Sequence, residues 1–187
     1  MPSKILRAEE SSCGLIVIDL QEKFAPRIQG WDSMISSCIK LIRFFQILKA
    51  PMIVTEQYPK GLGHTVSEIQ EALHELKLNV IEKTVFSACG TPELQNALEK
   101  HSRKQWILCG IEAHVCVQQT VFDLLNLGYE IFISVDAVNS QRTLDCQAAL
   151  ERMSRAGAVL STSESLIFEI LRDAKHPLFK ETLMLVK

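Results

Sequence analysis

The 187-residue sequence lacks the features that are typical of membrane proteins and of nucleic-acid-binding proteins. Its longest apolar runs, such as GLIVI and WILCG, are far shorter than the roughly 20 residues that span a bilayer. Its 20 basic and 22 acidic side chains are interspersed, and the net charge of −2 leaves no basic patch for a phosphate backbone. We therefore expect a protein that binds neither membrane nor nucleic acid.

Secretory and zinc-binding patterns are also missing. The N-terminal segment MPSKILRAEESS mixes acids with bases and is not followed by the apolar segment and cleavage site of a signal peptide. The cysteines form no CxxC pair and no Cys/His cluster at zinc-finger spacing. They are Cys13, Cys38, Cys89, Cys109, Cys116 and Cys146. These features predict a cytoplasmic protein with free thiols, and a mitochondrial location stays open.

Size and hydrophobic pattern predict one domain over residues 1–187 with an α/β fold. Short apolar runs rich in β-branched residues alternate with longer segments of helical periodicity. The predicted strands are 15–20, 52–55, 79–82, 106–109, 130–135 and 158–161. The predicted helices are 31–49, 67–76, 92–101, 114–127, 143–156 and 164–171. Because nearly continuous apolar strands must be buried on both faces, we predict a three-layer α/β/α architecture with a doubly wound, six-stranded parallel sheet.

Polar residues at the ends of the predicted strands are candidates for a functional site, because doubly wound sheets bind ligands beyond the carboxyl ends of their strands. Asp19 ends LIVID, Lys83 ends NVIEK, and Cys116 follows WILCG after the turn IEAHV. The polar segment 57–65, which carries two glycines and a proline, is predicted to be a surface loop beside this site.

Each of the three residues also has an ordinary structural explanation. Aspartates are common in turns, lysines at strand ends are usually solvated, and most cysteines are buried in the core. Cys116 differs because a helix that begins near residues 113–114 would place its sulfur in the first turn, where amide groups and the helix dipole stabilise a thiolate. Together the three side chains fit one mechanism, in which a carboxylate takes the thiol proton and a cation holds the resulting charges.

Five segments resemble the isochorismatase-like cysteine hydrolases in order and spacing. They are VIDLQEKF, VTEQYPKGLG, EKTVFSA, CGIEAHVCV and SVDAVNS. The resemblance covers about residues 14–175 and is greatest to the branch of isochorismatase domain-containing protein 2 and YcaC. It implies the same α/β/α hydrolase fold and a catalytic triad of Asp19, Lys83 and Cys116.

The resemblance also implies the surroundings of the nucleophile. It implies a non-proline cis peptide at Ile111-Glu112 and an oxyanion hole that the amides of Glu112 and Cys116 form. The predicted substrate-binding residues are Gln21, Phe24, Gln57 and Tyr58. His114 stays outside the predicted catalytic set, because a role at the helix start or at a subunit contact explains it equally well. Phe86 is interpreted as either pocket wall or core.

The implied activity is hydrolysis of a small amide, ureido or related C–N substrate through a covalent thioester intermediate. True isochorismatases lack the nucleophilic cysteine, so Cys116 argues against isochorismate as the substrate. Nicotinamidases of this superfamily carry Asp-Trp-His-Pro where this chain reads EQYP, residues 56–59. With His64 alone in this region, we expect no catalytic metal and no cofactor. The resemblance further implies a homo-oligomer (dimer, tetramer or octamer), with apolar positions of segment 35–45 as a possible interface.

Two alternatives from other functional classes remain open. In the first, the chain is a catalytically silent binding or assembly member of the family. In the second, Cys116 is a reactive thiol that senses oxidants. The second alternative is weakened because Cys109, seven residues away, falls on a strand where its side chain is expected to be buried.

Overall fold

A computed structural model describes residues 5–74, 76 and 78–186. Its strands are β1 (Cys13–Ile18), β2 (Met52–Gln57), β3 (Val80–Lys83), β4 (Gln105–Ile111), β5 (Glu130–Asn139) and β6 (Val159–Ser161). They form a six-stranded sheet in the order β3-β2-β1-β4-β5-β6, and every neighbouring pair is parallel. This arrangement confirms the predicted doubly wound parallel sheet.

Helices connect the strands and cover the sheet. They are α1 (Trp31–Ile47), α2 (Pro59–Leu62), α3 (Ser67–Leu73), α4 (Pro92–His101), α5 (Gln118–Asn126), α6 (Thr143–Arg155), α7 (Ser163–Leu171) and α8 (Phe179–Val186). Short 3₁₀ turns lie at Ala25–Arg27 and Ala88–Gly90, and a π-helical turn lies at Ala113–Val117. Among the described helices, none is long and apolar enough to cross a membrane.

Two hydrophobic cores occupy the two faces of the sheet. On one face α1, α3, α7 and α8 pack around buried side chains such as Phe44 and Phe45. On the other face α4, α5 and α6 pack around Trp106. The three-layer architecture follows from this division. The expectation that segment 35–45 offers an exposed interface is wrong, because Ile35 is 5% exposed and both phenylalanines are fully buried.

The strand order reverses between β1 and β4, which lie side by side while their connections run to opposite sides of the sheet. At this junction Gly110 has a φ of 119°, and a Cβ atom there would lie 2.0 Å from the Ile18 carbonyl oxygen. Only glycine allows so close an approach of the two strands. The crevice at such a reversal is the usual ligand position in doubly wound sheets, and Asp19 and Cys116 follow the two strands that form it.

Several predicted boundaries differ from the structure. β1 begins and ends two residues earlier than predicted, so that Asp19 lies just beyond the strand. The predicted loop 57–65 contains the short helix α2, which begins with a proline at its first position. The predicted helix 114–127 divides into the π-helical turn and α5. Helix α8 lies beyond the last predicted element.

Candidate active site

A buried ion pair joins the ends of β1 and β3. Lys83 Nζ lies 2.7 Å from Asp19 Oδ2, and the side chains are 0% and 2% exposed respectively. The backbone of Asp19 has a φ of 51°, in the left-handed region that aspartate tolerates better than most residues. Its amide donates to the Thr55 carbonyl at 3.1 Å, so the turn after β1 is held against β2. A buried charge pair of this kind requires further hydrogen bonds to offset the loss of hydration.

Those further hydrogen bonds are present on both partners. Thr55 Oγ1 donates to Asp19 Oδ1 at 2.7 Å. Lys83 Nζ donates to Gln57 Oε1 at 2.6 Å and to the Phe86 carbonyl at 3.1 Å, and the Val85 carbonyl lies 3.4 Å away. Since an ammonium has three N–H donors, all of them have partners in the protein.

Gln57 connects the ion pair to the cysteine. Its Oε1 accepts from Lys83 and lies 4.0 Å from Cys116 Sγ, while its Nε2 donates to the Thr84 carbonyl at 2.8 Å. These partners fix which end of the amide faces the lysine, because an ammonium cannot accept a hydrogen bond. Gln21 in turn holds the Gln57 backbone, accepting from its amide at 2.8 Å and donating to its carbonyl at 3.0 Å.

Cys116 lies in the π-helical turn between β4 and α5 and is 6% exposed. Burial, together with the nearby charge of Asp19, raises the pKa of its thiol to about 12, and the opposing effect of Lys83 is smaller than the effect of burial. This corrects the expectation of a thiolate stabilised at the start of a helix. The helical segment does begin at Ala113, as predicted, and Cys116 lies in its first turn, but burial outweighs any effect of the helix start on the pKa of the thiol.

The turn that carries Cys116 begins at a cis peptide bond between Ile111 and Glu112. The Glu112 carbonyl accepts the amides of Val115 and Val117 at 3.0 and 3.3 Å, on either side of the cysteine. The Glu112 carboxylate accepts the Gln141 amide at 3.0 Å, which ties the turn to the loop after β5. The oxyanion hole from the amides of Glu112 and Cys116 stays a prediction.

The predicted substrate-binding residues occupy different surroundings. Gln57 and Gln21 belong to the hydrogen-bond network beneath the site. Phe24 is half-buried against the core on the α1 face. Tyr58 is 53% exposed and lines a cavity of about 420 Å³ with Val85 and Pro92, among others. The structure gives no contact of Phe24 or Tyr58 with the cysteine, so their substrate-binding role stays a prediction.

Two further side chains of the sequence prediction lie beside the site. Phe86 is 53% exposed, while its carbonyl turns inward to Lys83, so it is not part of the core. His114 is held by Ser140 Oγ at 3.0 Å and lies 3.8 Å from Asp145 Oδ2. These contacts tie His114 to the loop after β5 and to α6, and its exclusion from the catalytic set stays a prediction.

The sequence prediction missed Thr55 and the loop carbonyls that hold Lys83. A usable signal existed for Thr55, the polar residue that ends the predicted apolar strand 52–55. Its position opposite the end of β1, where it pairs with Ile18, depends on the register of the sheet. The carbonyls of Val85 and Phe86 carry no signal in the sequence, because every residue has one.

Glu56 and His64, in the region where the sequence resemblance raised the question of a metal site, form a hydrogen-bonded pair. Glu56 Oε1 accepts from the Thr65 amide and hydroxyl at 2.6 and 2.7 Å, and Glu56 Oε2 lies 3.1 Å from His64 Nδ1. Burial acts to raise the pKa of Glu56, but the hydrogen bonds from Thr65 and His64 outweigh it and lower that pKa. Within residues 5–74, 76 and 78–186, no three His, Cys, Asp or Glu side chains are grouped to bind a metal ion.

Comparison with known proteins identifies the family of this chain. A model of the isochorismatase domain matches residues 13–165. The chain belongs to the isochorismatase family. It is 41% identical over 174 residues to isochorismatase domain-containing protein 2A of Mus musculus, an alignment that covers 92% of this chain and 82% of the mouse protein. The match confirms the resemblance that the sequence motifs indicated.

Solved structures of relatives share the fold of this isochorismatase-family chain. A MAR1 ribonuclease from Caenorhabditis elegans superposes with a TM-score of 0.92 and 44% identity, over 97% of this chain and 92% of that one. YcaC of Escherichia coli, described as an octameric hydrolase of unknown specificity, gives a TM-score of 0.90 at 21% identity, over 98% and 90% of the two chains. The chain therefore has the hydrolase fold of the isochorismatase family.

Proposed function

We propose that this chain is a cysteine hydrolase that cleaves a small amide, ureido or related C–N substrate. Cys116 is the nucleophile, Asp19 the general acid and base, and Lys83 the residue that holds Asp19 in place. The observation that carries the proposal is the convergence of these side chains at the strand-order reversal. There the charges of Asp19 and Lys83 both act on the sulfur, and the Gln57 oxygen lies 4.0 Å from it.

The first half of the mechanism forms a thioester. The Cys116 sulfur attacks the carbonyl carbon while its proton passes to the Asp19 carboxylate, and the carbonyl electron pair moves to oxygen. Amides of Glu112 and Cys116 hold that oxyanion. The oxyanion then collapses and breaks the C–N bond, and the leaving nitrogen takes the proton from Asp19. Because burial raises the pKa of the thiol to about 12, the proton leaves as the sulfur–carbon bond forms and not beforehand.

The second half returns the enzyme to its starting state. Water attacks the thioester carbon and gives a proton to Asp19. The second oxyanion collapses, the carbon–sulfur bond breaks, and the departing sulfur takes that proton back as a thiol. Lys83 keeps the carboxylate oriented through both halves, because its donors are fixed by Gln57 and the Phe86 carbonyl.

Three alternative functions are less well supported, each because of a specific observation. The relative from C. elegans is called a ribonuclease, but the net charge of −2 of this chain provides little of the electrostatic attraction on which RNA binding depends. An oxidant sensor requires an accessible thiolate, whereas the Cys116 thiol is buried with a raised pKa. A catalytically silent binding protein would have no need of the buried Asp19–Lys83 pair, which is costly to maintain.

We also propose a homo-oligomer. Several large apolar side chains are well exposed, among them Leu144 at 75% and Leu127 at 60%. Burying such side chains against another copy removes apolar surface from water. Light scattering during size-exclusion chromatography tests this proposal, and a monomer at micromolar concentration would contradict it.

The deciding experiment compares wild type with Cys116→Ser and Cys116→Ala on a panel of small amides, ureido compounds and activated esters. Ammonia or amine release is followed, and acyl-enzyme is trapped by mass spectrometry. The wild type is expected to turn over at least one substrate and to carry the acyl group on the peptide with Cys116, while both variants do neither. The absence of turnover and of adduct, with RNA cleaved instead, would favour the ribonuclease alternative.

A further inference from the structure

The charges around Cys116 have a consequence for the substrate. The lysine beside the cysteine has no donor left for a ligand, because its three N–H groups are directed at Asp19, Gln57 and the Phe86 carbonyl. Its side chain is 0% exposed, so a ligand cannot reach the ammonium without displacing the protein groups that surround it.

The net charge next to the sulfur is zero before reaction. Asp19 and Lys83 are the charged groups that act on the thiol, and they compensate each other. The Glu112 carboxylate at the start of the same turn adds negative charge, although it accepts a hydrogen bond from the Gln141 amide. A substrate that brought a carboxylate next to the reacting carbon would therefore meet no uncompensated cation among these residues.

The cationic side chains at the outer edge of the turn are also engaged. His114 lies between Ser140 and Asp145, and Arg142, which is 79% exposed, pairs with the same Asp145 at 2.6 Å. The contacts of His114 and Arg142 are with Ser140 and Asp145 and not with the Cys116 sulfur. Placing an anion in a site of this kind removes its hydration without supplying a cation to compensate its charge, which is unfavourable.

We infer that the site is selective for uncharged acyl compounds, namely carboxamides or ureido compounds with no carboxylate next to the carbon that Cys116 attacks. This inference rests on the proposed hydrolase and narrows its substrate class. Amides and ureas of this type are still compatible with the site, because the reacting carbonyl needs only N–H donors, the role proposed for the amides of Glu112 and Cys116.

The test uses iodoacetamide and iodoacetate, two alkylating reagents of nearly equal size that differ in charge. Both react with the same thiolate, so the ratio of their rates does not depend on how much of the thiol is ionised. The ratio is measured at Cys116 by peptide mass spectrometry, on the folded protein and on the same chain unfolded in urea, and Cys116→Ser serves as the labelling control.

In the folded protein, the ratio of iodoacetamide to iodoacetate rates is expected to exceed the ratio of the unfolded chain by at least about tenfold, because the carboxylate of iodoacetate loses its hydration on entering the site. Gln57→Leu removes one acceptor of Lys83 and frees an N–H group for the anion, so the difference between the folded and unfolded rate ratios should fall several-fold. Gln95→Leu, on the exposed side of α4, is the control and should leave both ratios unchanged. The comparison of folded and unfolded wild type tests the inference by itself, so it does not depend on whether Gln57→Leu folds.

Equal ratios in the folded and unfolded states, or faster labelling by iodoacetate in the folded state, would overturn the inference. Failure of iodoacetamide to label folded Cys116 would also overturn it, because a site for small uncharged acyl compounds must admit this reagent. Selective labelling without turnover of any amide would leave the charge selectivity standing and reject the proposed hydrolase, so the two failures are distinguishable.

Discussion

The Nζ atom of Lys83 lies 2.7 Å from Oδ2 of Asp19, and both side chains are almost completely buried. They come from the ends of two strands, β1 and β3, that are separated in the sheet by β2. Residues of β2 fill that gap, because Thr55 donates to the aspartate and Gln57 accepts from the lysine. The ion pair and the two β2 side chains therefore form one hydrogen-bond network, in which the position of each side chain depends on the others.

Removal of the lysine should destabilise the fold as well as abolish activity. Lys83→Met leaves the Asp19 charge buried without its cation, and we expect a loss of about 3 to 5 kcal/mol in the free energy of unfolding. Urea denaturation measures this loss. The double variant Asp19→Asn/Lys83→Met should recover much of it, because the uncompensated charge is gone.

A matched control for this prediction is Lys104→Met, since Lys104 pairs with Glu130 at 3.1 Å but is 68% exposed. It should change the free energy of unfolding by less than about 1 kcal/mol. Similar losses for the two lysine variants would contradict the assignment of a buried, mutually dependent pair.

The raised pKa of Cys116 predicts a specific loss of stability at alkaline pH. In the unfolded chain the thiol ionises near the ordinary cysteine pKa of 9.0, whereas burial raises the folded pKa to about 12. Below pH 9.0 both states keep the proton, so the contribution to stability is fully present. As the pH rises towards 12 the unfolded chain alone loses its proton, and the free energy of unfolding falls by up to about 1.4 kcal/mol per pH unit.

The measurement for this prediction is the difference between wild type and Cys116→Ser in urea denaturation from about pH 8 to about pH 11. Taking the difference cancels the other buried cysteines, such as Cys13, whose pKa burial also raises. A difference that stays constant over this range would show that the folded thiol has an ordinary pKa.

Much of the fold and part of the site were predictable from the sequence. The alternation of apolar runs with helical periodicity determines an α/β sheet, and Asp19 and Lys83 are recognisable as polar residues that end apolar segments. Their proximity follows from topology alone, because parallel strands present their carboxyl ends at one edge of the sheet.

The electrostatic state of Cys116 was not predictable in the same way. Its raised pKa depends on burial and on the position of Asp19, which are properties of the packed structure. The π-helical turn that places the sulfur before α5 has no distinctive residue pattern. The role of Gln57 likewise depends on which end of its amide faces Lys83, a choice that is made by the Thr84 carbonyl on another segment.

Gln57→Glu provides a test of the neutral acceptor beside the sulfur. The replacement has nearly the same shape but brings a second carboxylate to Lys83 and places it about 4 Å from Cys116 Sγ. The added negative charge should raise the pKa of the thiol further and slow alkylation of Cys116 by iodoacetamide near pH 9 by roughly tenfold. Circular dichroism controls for the fold, and an unchanged or faster alkylation rate would show that Gln57 does not influence the sulfur.

Chelators should leave the activity intact. Glu56 is hydrogen-bonded to His64 and to Thr65, so its carboxylate oxygens are already engaged. Dialysis of the enzyme against a strong chelator, followed by an assay on the best amide of the panel, measures the effect. A loss of activity that zinc or manganese restores would contradict catalysis by the thiol and its ion pair alone.

Gly110 is predicted to be essential for the junction of β1 and β4. A methyl group at this position would lie 2.0 Å from the Ile18 carbonyl oxygen, which belongs to backbone and cannot rotate away. Gly110→Ala should therefore separate the two strands next to Asp19 and destabilise the protein by more than about 4 kcal/mol, in the range of the most damaging single substitutions.

Gly128→Ala is the matched control, because Gly128 also has a positive φ, 88°, but has no atom within 4 Å of the added carbon. Its cost comes from the backbone conformation alone and should be about 1 to 2 kcal/mol. Thermal or urea denaturation of both variants separates steric contact from backbone strain. If Gly110→Ala were no more destabilising than Gly128→Ala, the close approach of the strands at the site would not be a requirement of the fold, and larger residues would be tolerated there.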